Sequence, residues 1–363
     1  MSRNNSIDIA KGLGILLVVL GHNWIIDHDH GLIFQLIFSF HMPLFFLLGG
    51  VFLSTAGGLP EFIRNKADTL LKPYLVVLAL FGIYQIVIGF TTPGKYYAGM
   101  LYGVGSTIAW APLWFLTSLF VTLIFARLLV PALTRIGRAP ASLLVAVLAL
   151  FLLGAWSIGQ FTSLDSNVHP LLGLMFGPDK QIRGLPFNLD LLPLSAAFLL
   201  TGYLLREQIR NPVFKPAHLL VALLLLVGLN LLFRYETDLN LRQYGHWLIT
   251  PVRALSGIYV VISLSVLIND RWRLAALPLA YLGRISLFIL IFHGYVEWNL
   301  IGKLTGRLHL GAYPQALLGL VAAIVLPAML FEITRRTPLA LFMLPLNKRP
   351  RPAIGMAEGQ PVK

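Results

Sequence analysis

Apolar runs of roughly 20 residues recur along almost the whole chain, and nothing else in the sequence constrains the fold as strongly. A helix of that length spans the hydrocarbon core of a bilayer. Backbone polar groups in lipid must be bonded within the protein, which leaves helices or a closed barrel. These runs are continuous rather than alternating, so they select helices. The expected spans are about 7–26, 32–54, 70–90, 113–133, 141–159, 189–205, 216–233, 247–268, 278–300 and 314–333. The chain therefore reads as an all-α polytopic membrane protein of about ten transmembrane helices. The first run is long and no small-residue cleavage site follows it, so it reads as helix one and not as a signal peptide. The apolar segment 338–346 is too short to span.

Charge supports the same reading. Charged residues make up 12% of the chain, about half the fraction usual in soluble domains. A net charge of +13 raises the question of nucleic acid, but the positions of the charges argue against that partner. With the N-terminus inside, Arg64, Lys66, Lys72, Arg206, Arg210, Arg271, Arg273, Arg335 and Arg336 fall on the inner side. The outer loops hold fewer basic residues: Lys95, Lys180, Arg183, Arg234, Arg242, Lys303 and Arg307. This is the positive-inside bias, with both termini cytoplasmic in the inner membrane. Asp27, Asp29, Asp165, Asp179, Glu236 and Asp238 fall outside. Residues 1–346 form one transmembrane domain. The tail 347–363 (NKRPRPAIGMAEGQPVK) is Pro/Gly-rich and basic and reads as a disordered cytoplasmic end. The outer loop at about 160–188 either shapes an outward-facing site or simply connects.

The chain has no cysteine, which excludes disulfides, thiolate catalysis and Cys-ligated metal. Chemistry must come from elsewhere. In helix one, Asp8, Lys11, Ile15, Val18 and His22 are spaced 3, 4, 3 and 4 apart and share a face. Lys11 and His22 lie ~16 Å apart along the axis. Ionisable groups in lipid face a bundle interior or a water-filled cavity. An imidazole there is either a general base for a substrate hydroxyl or a structural group bonded to a neighbouring helix. His41 lies in helix two at a comparable depth, ahead of Pro43. It either joins His22 or marks a helix distortion. Two histidines are a poor metal site and no HExxH motif is present, so no metal is expected.

Further candidates are weighed in the same way. His293 and Glu297 are spaced i, i+4 and are close enough to touch. They are a carboxylate-oriented histidine or a stabilising pair. Arg253 either holds an oxyanion or anionic substrate or snorkels to the interface. Trp114 is a belt residue or a stacking platform for a sugar. Arg64, Lys66 and Lys72 bind the phosphates of a nucleotide-bearing donor or merely satisfy the positive-inside rule.

Six ordered stretches resemble the acyltransferase 3 family, closest to its fucose 4-O-acetylase-like branch. They are SIDIAKGLGILLVVLGHN, FSFHMPLFFLLGGVFL, FIRNKADTLLKPYL, WFLTSLF, LPLSAAFLLTGYLLR and LGRISLFILIFHGY. The resemblance covers roughly residues 5–335. It implies an integral membrane O-acyltransferase with no bound cofactor. Such an enzyme moves acetyl, or a related acyl group, from cytoplasmic acetyl-CoA to a hydroxyl of an envelope or exported carbohydrate. The family's catalytic histidine falls on His22, with His41 in the same cavity. The family's basic residue in helix one falls on Lys11, and its donor-binding basic cluster falls on Arg64, Lys66 and Lys72. The family's paired arginines are not intact here, because Lys66 is followed three residues later by Thr69. The competing reading is a transporter of a glycan or small solute working through intramembrane histidines. That reading calls for broken helices or internal repeats near the midplane, which the sequence does not clearly show.

Overall fold

The computed structural model describes residues 5–136 and 139–346, and the basic tail 347–363 lies outside the described residues. In chain order the helices are α1 (Ser6–Gly21), α2 (Trp24–Asp29), α3 (Leu32–Val51), α4 (Leu59–Lys66), α5 (Lys72–Val87) and α6 (Pro93–Tyr102). They continue with α7 (Trp114–Ile136), α8 (Ala139–Gln160), α9 (Pro170–Phe176), α10 (Leu192–Leu204), α11 (Arg206–Arg210) and α12 (Pro216–Leu232). The last are α13 (Ile249–Arg271), α14 (Arg273–Arg284), α15 (Ser286–Gly294), α16 (Gly302–Arg307), α17 (Ala312–Thr334) and α18 (Ala340–Met343). The only sheet among the described residues pairs Leu164–Asp165 with Gln181–Ile182, antiparallel, in the long loop after α8.

Among the described residues, seven helices are long and apolar enough to cross a membrane, and eight if the bent pair α14 and α15–α16 counts as one span. Every expected run is helical, but three differ in form. The first ends early: α1 stops at Gly21, and Asn23 is extended before α2 begins. The ninth is broken, with a 72° bend between Arg273–Arg284 and Ser286–Arg307. The third is longer than expected. Residues Leu59–Val87 form one helix of 29 residues, with a π-helical stretch at Ala67–Leu71. Pro73 has no N–H to donate, and a wide turn just before it is one way a helix absorbs that loss. Arg64 and Lys66 therefore sit on a helix, not in a loop.

The core forms around α1, which packs against α3, α13, α14 and α15. The α1–α14 crossing is a backbone-to-backbone contact. A methyl group at Gly12 would land on the Leu279 carbonyl, and one at Gly283 on the Asp8 carbonyl. Small residues permit such close approach between helices in lipid. Outer helices show apolar stripes four residues apart, such as Leu144, Leu148 and Leu152 on α8 and Leu317, Val321 and Val325 on α17. These exposed stripes are the lipid-facing surface of a bundle.

Candidate active site

Three histidines from three helices meet at the far end of α1. His22 follows its last turn, His41 lies within α3, and His293 lies near the end of α15. The His22 ring is 5.4 Å from His293 and 6.2 Å from His41, edge to face in both cases. Phe38 stacks on His22 at 5.4 Å and packs against His41 at 4.7 Å. His41 and His293 are buried and His22 is partly buried.

Each ring is fixed in the same way. Nδ1 of His22 bonds the Val18 carbonyl at 2.9 Å, and Nδ1 of His41 bonds that of Ile37 at 3.0 Å. Nδ1 of His293 bonds those of Ile289 and Leu290 at 3.1 and 2.9 Å. A carbonyl only accepts, so Nδ1 carries the hydrogen in all three. In the neutral ring Nε2 is then a bare lone pair, the form a base or nucleophile requires. Among the described residues, Nε2 of His293 is buried without a hydrogen-bond partner, and no group of three His, Cys, Asp or Glu is placed to hold a metal ion.

The neighbours of His22 hold it in register. Asn23 Nδ2 donates to Glu297 Oε1 at 2.5 Å and to the Ala316 carbonyl at 2.9 Å. Trp298 Nε1 donates to the His22 carbonyl at 3.1 Å. Glu297 and Trp298 lie in a π-helical turn, Tyr295–Ile301. No hydrogen bond joins His293 to Glu297, although they are four residues apart. The histidine bonds its own helix and the carboxylate bonds Asn23. Two carboxylates beyond the long helices, Asp27 and Asp238, also feel His22. Burial pushes Asp27 above the usual carboxylate range, and His22 is the largest influence pulling it back. Burial raises Asp238 too, with the Leu241 N–H and then His22 opposing it.

Lys11 marks the other end of the α1 face, its Nζ 4.7 Å over the Phe52 ring at the end of α3. Close by in the chain, Phe62 takes Lys66 at 5.3 Å and Arg127 of α7 at 5.9 Å. Arg127 also donates to the Gly57 carbonyl at 2.7 Å. Arg64 is exposed. Lys72 bonds Asp68 and the Leu344 carbonyl, both at 2.6 Å, so its ammonium ties the segment before the tail to the helix.

The family model of the acyltransferase domain matches residues 4–332. The chain belongs to the acyltransferase 3 family. Among curated proteins and solved structures none matches it. As a membrane acyltransferase it must bring an acyl donor and an acceptor together at one place, and the histidine cluster is the arrangement of bare lone pairs suited to that chemistry.

Other sequence candidates lie outside the cluster. Arg253 does not snorkel. It is fully buried, with Nη1 on the Tyr235 carbonyl at 3.4 Å, Nη2 on Asn230 and the Tyr235 ring 4.6 Å away. Trp114 is neither a belt residue nor an open platform. It is buried at the start of α7, and its carbonyl accepts from Asn188 and Thr117. Sequence reasoning missed Asn23, Asp27 and Asp238 as neighbours of His22. It also missed the ion pair of Asp190 with Arg242, wholly buried, in which Nε and Nη2 donate to the carboxylate at 2.9 and 3.1 Å. Phe187 and Asn188, at one kink, and Arg242, at another, have positive φ.

Proposed function

We propose that this acyltransferase moves an acetyl or related acyl group from acyl-CoA to a hydroxyl of a cell-envelope or exported carbohydrate. The observation that carries the reading is the cluster of His22, His41 and His293 with every Nδ1 bound to backbone. His22 Nε2 begins the transfer, taking either the hydroxyl proton or the acyl group. In this reading the Lys11 end of α1 faces the cytoplasm. Lys11, Arg64 and Lys66 there, with Arg127, receive the donor's phosphates, while the His22 end meets the acceptor. The resemblance to fucose 4-O-acetylase-like proteins supports a sugar hydroxyl as acceptor.

The test is ester-linked acetate on the envelope glycans of the source cells. Wild type is compared with a deletion and with His22→Ala at equal membrane level. One glycan is expected to lose its acetate in both mutants. Retention of acetate in the deletion would remove the carbohydrate reading.

The 72° bend between α14 and α15 favours the transporter reading, because transporters use broken helices near a central site. Proteoliposomes separate the two. The enzyme consumes the acetyl-CoA thioester when an envelope-glycan extract is present, and a transporter does not.

A further inference from the structure

An acyl group carried on His22 creates a chemical problem that the site must solve. Once Nε2 holds the acyl group, and with Nδ1 bonded to Val18, that ring has no lone pair left to take a proton. A second base is then needed for the acceptor hydroxyl. His293 is the group that fits. It is fully buried. Its Nδ1 is anchored by two carbonyls, and its Nε2 has no partner. Its ring lies 5.4 Å from that of His22. That is a spacing of ring centres, edge to face, close enough for a hydroxyl attacking an acyl carbon on one ring to lie beside the other. His41 lies farther off, at 6.2 Å.

We infer that the two histidines divide the reaction, with His22 carrying the acyl group and His293 acting as general base toward the acceptor hydroxyl. The inference rests on the acyltransferase reading above. In the first step His22 Nε2 attacks the thioester carbonyl carbon. The C–S bond breaks and its electron pair leaves with sulfur as the CoA thiolate. In the second step the acceptor O–H gives its proton to His293 Nε2 while its oxygen attacks the acyl carbon. The C–N bond breaks and its electron pair returns to His22. The proton on His293 then passes through water to the thiolate. One thioester and one hydroxyl have become one ester and one thiol. The buried lone pair of His293, costly to leave unmet, is met in this second step.

The experiment uses the full-length protein in proteoliposomes with radiolabelled acetyl-CoA and an envelope-glycan extract from the source cells. It compares wild type, His22→Ala, His293→Gln and His293→Ala. Thermal melting of each variant establishes that it is folded. His293→Gln is expected to release about one equivalent of CoA, keep label on the protein, and turn over roughly 100-fold or more slowly, the range general base catalysis supplies. Added imidazole is expected to restore turnover of His293→Ala, a response that a purely structural role would not produce. His22→Ala is expected to release no CoA and hold no label. Turnover of His293→Gln within about threefold of wild type would overturn the division of roles. So would a folded His293→Gln that neither releases CoA nor holds label. If wild type itself consumes no thioester, the acyltransferase reading has failed, and the inference fails with it.

Discussion

Asp27 is pulled two ways, by burial that penalises its charge and by His22, His30 and His28, which favour it. Burial wins, so its folded pKa lies above the unfolded value of 3.8. For an acid with a raised folded value, the stability cost is present at pH 7 and disappears as pH falls through the raised value toward 3.8. Asp27→Asn is therefore expected to raise Tm at pH 7, with the gain fading toward pH 4, and melting curves of the detergent-solubilised protein at several pH values check this. A gain that stays constant at acid pH would assign it to the amide's own contacts. At this scale the sequence drew attention to His22, His41 and His293, because an imidazole inside an apolar run stands out. It gave no sign of Asn23 or Asp27. Their importance depends on a break after Gly21 that apolar periodicity does not register.

The two halves of a bent helix hold α1 at both ends. The α14 half meets it backbone to backbone at Gly12 and Gly283, and α15 brings His293 to His22. Gly283→Leu is expected to open the crossing and destabilise the protein by about 1–3 kcal/mol or more, measured as a lower Tm. Transfer activity should also fall, although no histidine is touched. Equal stability and activity would mean that α14 moves aside at no cost. Helix existence was legible at all ten expected positions, because long apolar runs leave little choice. The bend at Ile285 was not legible. No proline lies between Leu282 and Tyr295 to mark the break, and Arg284 and Ser286, which flank it, suit an unbroken helix equally well. The His293–Glu297 pairing failed for a related reason. Spacing by four assumes an α-helix, but the chain enters a π-helical turn at Tyr295.

Across the molecule, the segments around Gly103, Asn188 and Arg242 are joined by a polar clasp. Arg242 grips Asp190 and Asn188, and Asn188 donates to the carbonyls of Gly103 and Trp114 at 3.2 and 3.1 Å. With both members of the ion pair fully buried, loss of one charge strands the other. Asp190→Asn is expected to cost roughly 3–5 kcal/mol, read as a fall in Tm, whereas Asp179→Asn on the exposed surface should cost little. These partners lie far apart in sequence, and no local signal pairs Asp190 with Arg242. The pinning of the imidazoles has one more consequence, for regiochemistry. With every Nδ1 facing backbone, an electrophile of any kind meets only the τ nitrogen of His22, His41 and His293. A peptide recovered from the acylated protein should therefore carry a single positional isomer, and the π-substituted form should be absent from all three sites.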